Sequence, residues 1–213
     1  MRVNKYISEA GLCSRREADD LLLAGRVTIN GDVVSTGAKK AVYIALNKPA
    51  GITCTTDQSI DGNIIDFVDH PQRIFPVGRL DKDSEGLILL TSNGDIVNEI
   101  LRAENHHEKE YLVAVNKAVT DEFLHGMAKG VRVHGQMTQP CRTRRIAKYG
   151  FSIVLTQGLN RQIRLMAAAF DYRVTQLRRV RIDNVKLAHL KIGQWRNLTE
   201  AELKGLLPER TQW

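Results

Sequence analysis

One stretch constrains this chain more than any other: Gly78-Arg79-Leu80-Asp81-Lys82-Asp83-Ser84-Glu85-Gly86, followed at once by Leu87-Ile88-Leu89-Leu90. Four apolar residues closed by Thr91 and Ser92 are too few for a helix and fit a short buried strand. The Gly-bounded turn before them packs one arginine and three carboxylates against that strand. A loop anchored on a core strand presents reactive groups from a rigid support, so Asp81 beside Arg79 is a candidate catalytic carboxylate. A plain solvated turn has the same spacing. Asp81, Asp83 and Glu85 also imitate the opening of a calcium loop, but Ser92 stands where the bidentate glutamate is needed.

The formal charge of +7 is unevenly spread. Between Arg142 and Arg196 there are thirteen Lys and Arg against Asp171 and Asp183, so the rest of the chain is net acidic. A concentrated basic stretch suits a polyanionic partner. Cys13, Cys54 and Cys141 are too few and too scattered for a disulfide framework or a zinc site. There is no apolar signal core at the N-terminus and no run of membrane-spanning length, which leads to the expectation of a cytoplasmic protein with no membrane partner.

The first forty residues read as a small separate unit. Val3 to Ala10 is helical and closed by Gly11, and Ser14-Arg15-Arg16-Glu17 is a capping box opening a second helix with Ala18, Leu21 and Leu22 on one face. Val27-Thr28-Ile29 and Val33-Val34 flank Asn30-Gly31-Asp32, a hairpin signal. Arg2, Lys5, Arg15, Arg16 and Arg26 gather near the helix starts, where exposed amides also favour phosphate, although a solubilising surface has the same composition. Asn4 to Ile7, Cys13 to Ala18 and Ile29 to Gly31 make this unit resemble the RNA-binding module named after a ribosomal protein of the small subunit. Such modules continue into a second hairpin, whereas Ser35 to Lys40 runs almost directly into the next strand, so the module over 1–40 reads as truncated.

From residue 41 to 213 short strands alternate irregularly with few helices. Strands are expected at Val42–Leu46, Arg73–Val77, Lys109–Val115, Val131–Val133, Cys141–Ile146, Phe151–Leu155 and Val174–Ile182, and helices at Ile64–Val68, Asp95–Leu101, Asp121–Met127 and from Thr199 to Leu207. The absence of sustained βαβ alternation predicts an α+β fold with a mixed, largely antiparallel sheet. Adjacent His106 and His107 point oppositely in a strand and lack a third ligand. In Gly158–Met166, Asn160 is expected to cap a helix reaching about Phe170, with Arg161 and Arg164 on one face and Ile163, Met166 and Ala167 inward. Strict alternation along Val174–Ile182 puts Val174, Gln176, Arg178, Val180 and Ile182 on one side.

Three stretches in this order, Lys48-Pro49-Ala50-Gly51, Gly78 to Thr91, and Gly158 to Arg164, with Lys109-Glu110-Tyr111 between them, resemble the motifs of the small-subunit-type family of pseudouridine synthases. The resemblance covers essentially the whole chain and is strongest to the subgroup acting on large-subunit (23S) ribosomal RNA. It implies isomerisation of a uridine in that RNA by a catalytic domain over 41–213, with no metal or organic cofactor. Asp81 is the implied nucleophile, Arg164 its ion-pair partner, and Tyr111 the ring that stacks on a uracil flipped out of its helix. Arg79 is implied to fill the vacated space or hold a phosphate, and Leu80, Lys82, Arg161, Gln162 and Ile163 to line the RNA, joined by Arg15 and Arg16 in the N-terminal module. Lys48 and Pro49 read as structural. Relatives often carry a second basic residue where this chain has Leu165. Transfer RNA as substrate, a non-catalytic RNA-binding protein and a carboxylate-metal phosphodiesterase are the alternatives, and a monomer is expected.

Overall fold

The computed structural model describes residues 3–34, 41–94, 96, 97, 100 and 107–208, and the chain forms two compact units, Met1–Lys40 and Ala41–Trp213. In the first unit α1 (Val3–Glu9) and α2 (Arg15–Leu23) precede a hairpin of β1 (Thr28–Ile29) and β2 (Asp32–Val33). The capping box forms: Ser14 Oγ accepts from the Glu17 amide at 3.3 Å and the Glu17 carboxylate accepts from the Ser14 amide at 2.8 Å. Two orphan amides of α2 are thereby satisfied. Asn30 and Gly31 both have positive φ, which two-residue hairpin turns require. Ala18 and Leu22 are buried, while Arg15, Arg16 and Arg26 are exposed. Arg2 and the connection Ser35–Lys40 lie outside the described residues.

The second unit is built on one sheet. Its strands are β3 (Tyr43–Lys48), β4 (Phe75–Val77), β5 (Glu85–Thr91), β6 (Lys109–Val115), β9 (Arg142–Ala147), β10 (Gly150–Leu155), β11 (Val174–Ile182), β12 (Val185–Lys186) and β13 (Trp195–Asn197). A small hairpin, β7 (Arg132–Val133) with β8 (Gln136–Met137), stands apart from it. The helices of this unit are α3 (Ile64–Val68), α4 (Asp121–Lys129), α5 (Gln162–Ala168) and α6 (Glu200–Leu206). Sheet order is β13-β3-β5-β11-β6-β10-β9, with β4 on β5 and β12 on β11, and β5–β11 is its one parallel pair among the described residues. The expected mixed, largely antiparallel sheet is therefore what forms.

Apolar cores cover both faces of the sheet. Ile44, Leu46, Ile88 and Leu90 point into one, with Tyr111, Phe123, Phe151 and Met166, while Tyr43, Ala45, Leu87 and Leu89 point into the other, with Leu203 and Leu206. Burial on both sides is why Leu87–Leu90 is uninterrupted rather than alternating. The helix expected at Asp95–Leu101 lies partly outside the described residues, but Ile96 and Ile100 are buried in the second core. No described helix is long and apolar enough to cross a membrane.

Some expectations fail for local reasons. Asn160 does not cap α5: its N-cap is Arg161, in a left-handed conformation at φ 51° and with no side-chain cap, and the helix ends at Ala168. Strict alternation along β11 is broken by register shifts between Val174 and Gln176 and between Arg179 and Arg181. A bulge changes which face the following residues meet, so Val174 lies in one core and Ile182 in the other; Arg179, between the two shifts, is buried. Strands β8, β12 and β13 are two or three residues long, too short to leave a periodic trace.

Candidate active site

The edge of β5 opposite β3 is shared by two partners. β11 pairs with its beginning, at Glu85 and Gly86, and β4 with its end, at Leu89 to Thr91. Gly86 makes the first contact possible: its φ is 107°, and an added Cβ would lie 2.2 Å from the Arg179 carbonyl oxygen. No other residue type fits so close a backbone approach. Between the two partners Leu87 presents a carbonyl with no strand to pair it, and Arg179 Nε donates to it at 2.7 Å. The chain leaving β4 forms the loop Gly78–Ser84 and returns as β5, so Asp81 stands at the mouth of this break in the sheet.

That loop is clamped from below by Lys48. The lysine is fully buried at the end of β3, and its Nζ donates to the carbonyls of Pro49 (2.8 Å), Ser84 (2.7 Å) and, longer, Lys82 (3.4 Å). Burial lowers the affinity of Lys48 for its proton; the carboxylates of Asp83, Asp81 and Glu85 nearby work in the opposite direction. The Gly51 amide donates to the Lys82 carbonyl at 2.7 Å, and the Leu80 amide to Cys54 Sγ at 3.4 Å. Cys54 is itself buried, which raises its thiol pKa and keeps it protonated. Each end of the Asp81 loop is thus tied to the Lys48–Cys54 segment, which gives the structural role expected of Lys48 a physical form.

Arg164 approaches from α5. Its Nη2 lies 3.2 Å from the Asp83 carboxylate and 3.2 Å from Ser84 Oγ, and its Nη1 donates to the Val174 carbonyl at 3.3 Å. Arg161 reaches the same Asp83 carboxylate at 3.8 Å. The two-arginine platform expected from the spacing forms, but the carboxylate it meets is Asp83. The expected Arg164–Asp81 ion pair is absent, and the Asp81 carboxylate accepts no hydrogen bond from any described residue. The reason is geometric: the loop turns back at Asp81, whose carbonyl accepts from the Ser84 amide at 3.0 Å, so Asp83 faces α5.

A cleft of about 1100 Å³ opens over these groups, lined by Arg79, Leu80, Asp81, Tyr111, Arg161 and Arg179 among others. A shallower hollow of about 610 Å³ continues past Asp81, Lys82 and Arg161 to Ala50 and Gly51. Tyr111 lies on β6 directly opposite Arg179 of β11, and the guanidinium carbon sits 6.0 Å from its ring centre. Arg79 and Lys82 are exposed at the rim with no ion pair among the described residues. Leu80 and Ile163 line the cleft but belong to the core beneath it. Gln162, expected to touch RNA, is 4% exposed and committed internally, accepting from the Leu159 amide at 3.0 Å and donating to Met166 Sδ. His107 is buried with Nδ1 against the Asp183 carboxylate, and His106 lies outside the described residues. Among the described residues no three His, Cys, Asp or Glu side chains converge to hold a metal.

Comparison with known proteins assigns this architecture. Residues 42–169 match the family model described as RNA pseudouridylate synthase, and residues 1–40 match the S4 domain. The chain is 53% identical, over 95% of its own length and 77% of the relative's, to the dual-specificity RNA pseudouridine synthase RluF of Salmonella typhi. It is 32% identical to the ribosomal large subunit pseudouridine synthase B of Bacillus subtilis, covering 96% of this chain and 95% of that one. A solved pseudouridylate synthase aligns over 97% of this chain and all of its own, at 29% identity and a TM-score of 0.74. With an S4 domain ahead of it and this catalytic unit behind, the chain belongs to the RNA pseudouridylate synthase family and is an RNA-binding isomerase.

Proposed function

We propose that this protein converts a uridine of large-subunit ribosomal RNA to pseudouridine, with Asp81 as nucleophile acting on a base turned out of its helix into the cleft. The observation that carries the reading is the Asp81 carboxylate itself: it is fixed by a clamped loop, opens on a basic cleft, and is left uncommitted by the ion pairs around it. In the reaction the bond between uracil N1 and the ribose breaks, the base rotates, a bond forms from carbon five, and the carbon-five proton is lost while N1 gains one. Only a nucleophile, a proton acceptor and a holder for the loose base are needed. Asp81 supplies the nucleophile and Tyr111 the face for the base. Arg164 and Arg161 hold Asp83 and so fix the loop on which Asp81 stands. Arg79 and Lys82 at the rim meet the backbone of the strand that has lost its base.

The ribosomal substrate is supported by the relative named for the large ribosomal subunit, and the basic stretch from Arg142 to Arg196 suits an RNA partner. Transcripts of large-subunit, small-subunit and transfer RNA, each incubated with the protein and mapped for pseudouridine, test it. A single new pseudouridine in the large-subunit transcript is expected, and modification of transfer RNA alone would overturn the assignment. Arg15 and Arg16, exposed on the S4 unit, are proposed phosphate contacts. Changing both to Ala should reduce the slope of log affinity against log salt by roughly 1.5 units; an unchanged slope would remove them from the RNA surface.

A further inference from the structure

Arg179 is the most buried of the described cations lining the cleft, at 4% exposure, and only part of it is spoken for. Its Nε closes the break in the sheet by donating to the Leu87 carbonyl at 2.7 Å. Its Nη2 is buried and has no hydrogen-bond partner. A guanidinium nitrogen left unpaired in a buried place is costly, and the guanidinium is held in that place by three things: the Nε contact, the ring of Tyr111, and the close backbone approach that Gly86 allows. Arg179 also contributes, after burial, to holding the Lys109 ammonium below the ordinary lysine range, so the charge is felt at the cleft wall.

On the proposed function of this site, we infer that Arg179 reads the target base, its Nη2 donating to a carbonyl oxygen of uracil stacked on Tyr111. Two features favour a base carbonyl over a backbone phosphate. Arg179 is at the floor, beside the ring that receives the base, whereas the cations free to meet a phosphate, Arg79 and Lys82, are exposed at the rim. A nucleobase is thin and neutral and can reach the floor; a phosphate there would drag its charged backbone out of water. A planar, always-charged donor fixed at one edge of the base also rejects a base that presents an amino group there, because donor would face donor.

The test uses the full chain and a short RNA hairpin carrying the uridine that the wild type modifies, prepared with uridine, 2-thiouridine or 4-thiouridine at that position. Sulfur is a poor hydrogen-bond acceptor, so one thio-substitution should slow wild-type single-turnover isomerisation roughly 10-fold. Arg179→Met should slow the uridine reaction roughly 10- to 100-fold with RNA affinity unchanged, and the sensitive thio-substitution should then cost it less than about 2-fold. Arg179→Lys keeps the stem and charge but lacks the fixed fork, and serves in the same comparison if the methionine variant does not fold. Equal thio effects in wild type and variant, or no thio effect in the wild type, would overturn the inference. So would a loss confined to affinity with a salt slope lower by about one, which marks a phosphate contact. A wild type that modifies no RNA would instead refute the proposed function on which this rests.

Discussion

Asp81→Asn is expected to abolish isomerisation, by at least about 10⁴-fold, while leaving RNA affinity and thermal stability unchanged. The amide keeps the shape of the side chain but is not a nucleophile. Because the Asp81 carboxylate has no hydrogen bond or ion pair among the described residues, no direct contact is lost with its charge, and Asp83 and Glu85 still face the Lys48 ammonium. Asp83→Asn is the informative contrast. Asp83 is the carboxylate that Arg164 and Arg161 hold, yet its side chain is 53% exposed, and exposed ion pairs contribute little. Its substitution should slow the reaction less than about 10-fold, through a loosened loop. The reverse ranking, with Asp83 indispensable and Asp81 tolerant, would move the nucleophile two residues along the chain. Single-turnover rates, with affinity measured in parallel, decide between them.

Lys48→Met should cost about 2–4 kcal/mol of stability, a fall of roughly 4–16 °C in melting temperature for a chain of this size. Methionine fills similar space, but the Pro49 and Ser84 carbonyls lose a charged donor at 2.8 and 2.7 Å, inside the protein where water does not replace it. Activity should fall further than stability explains, by roughly 100-fold at temperatures where the variant is fully folded, because the clamped carbonyls belong to the loop that aims Asp81. Affinity for RNA should change little. A variant that melts lower but turns over normally when folded would reduce Lys48 to a core residue with no bearing on the loop.

Much of this arrangement could be read from the letters, and the failures have identifiable causes. The capping box at Ser14 and Glu17 and the Asn30-Gly31 turn are local devices whose chemistry is complete within a few residues, so both formed where expected. Leu87–Leu90 fits a buried strand because a run of four apolar residues between polar ones is too short for a helix, and the strand forms there. What escaped was set by tertiary contacts. The register shifts in β11, before Gln176 and after Arg179, depend on neighbouring strands; Arg179 keeps the side opposite Arg178, and what the letters do not show is the partner strand that sets Tyr111 beside it and buries it. Gly86 was legible as punctuation, but its reason, the Arg179 carbonyl 2.2 Å from where a Cβ would be, lies 93 residues further along the chain. The resemblance pairs Arg164 with Asp81, the implied nucleophile. The fold hands it Asp83, because the turn held by the Asp81 carbonyl and the Ser84 amide decides which side chain faces α5.

The most direct test of the central claim is release of tritium from carbon five of uridine in labelled large-subunit ribosomal RNA, wild type and Asp81→Asn side by side and in the presence of a chelator. The account predicts release by the wild type, up to one equivalent per target uridine, and none by the variant although it binds the same RNA. Release by both proteins, or by neither while binding is intact, would contradict it.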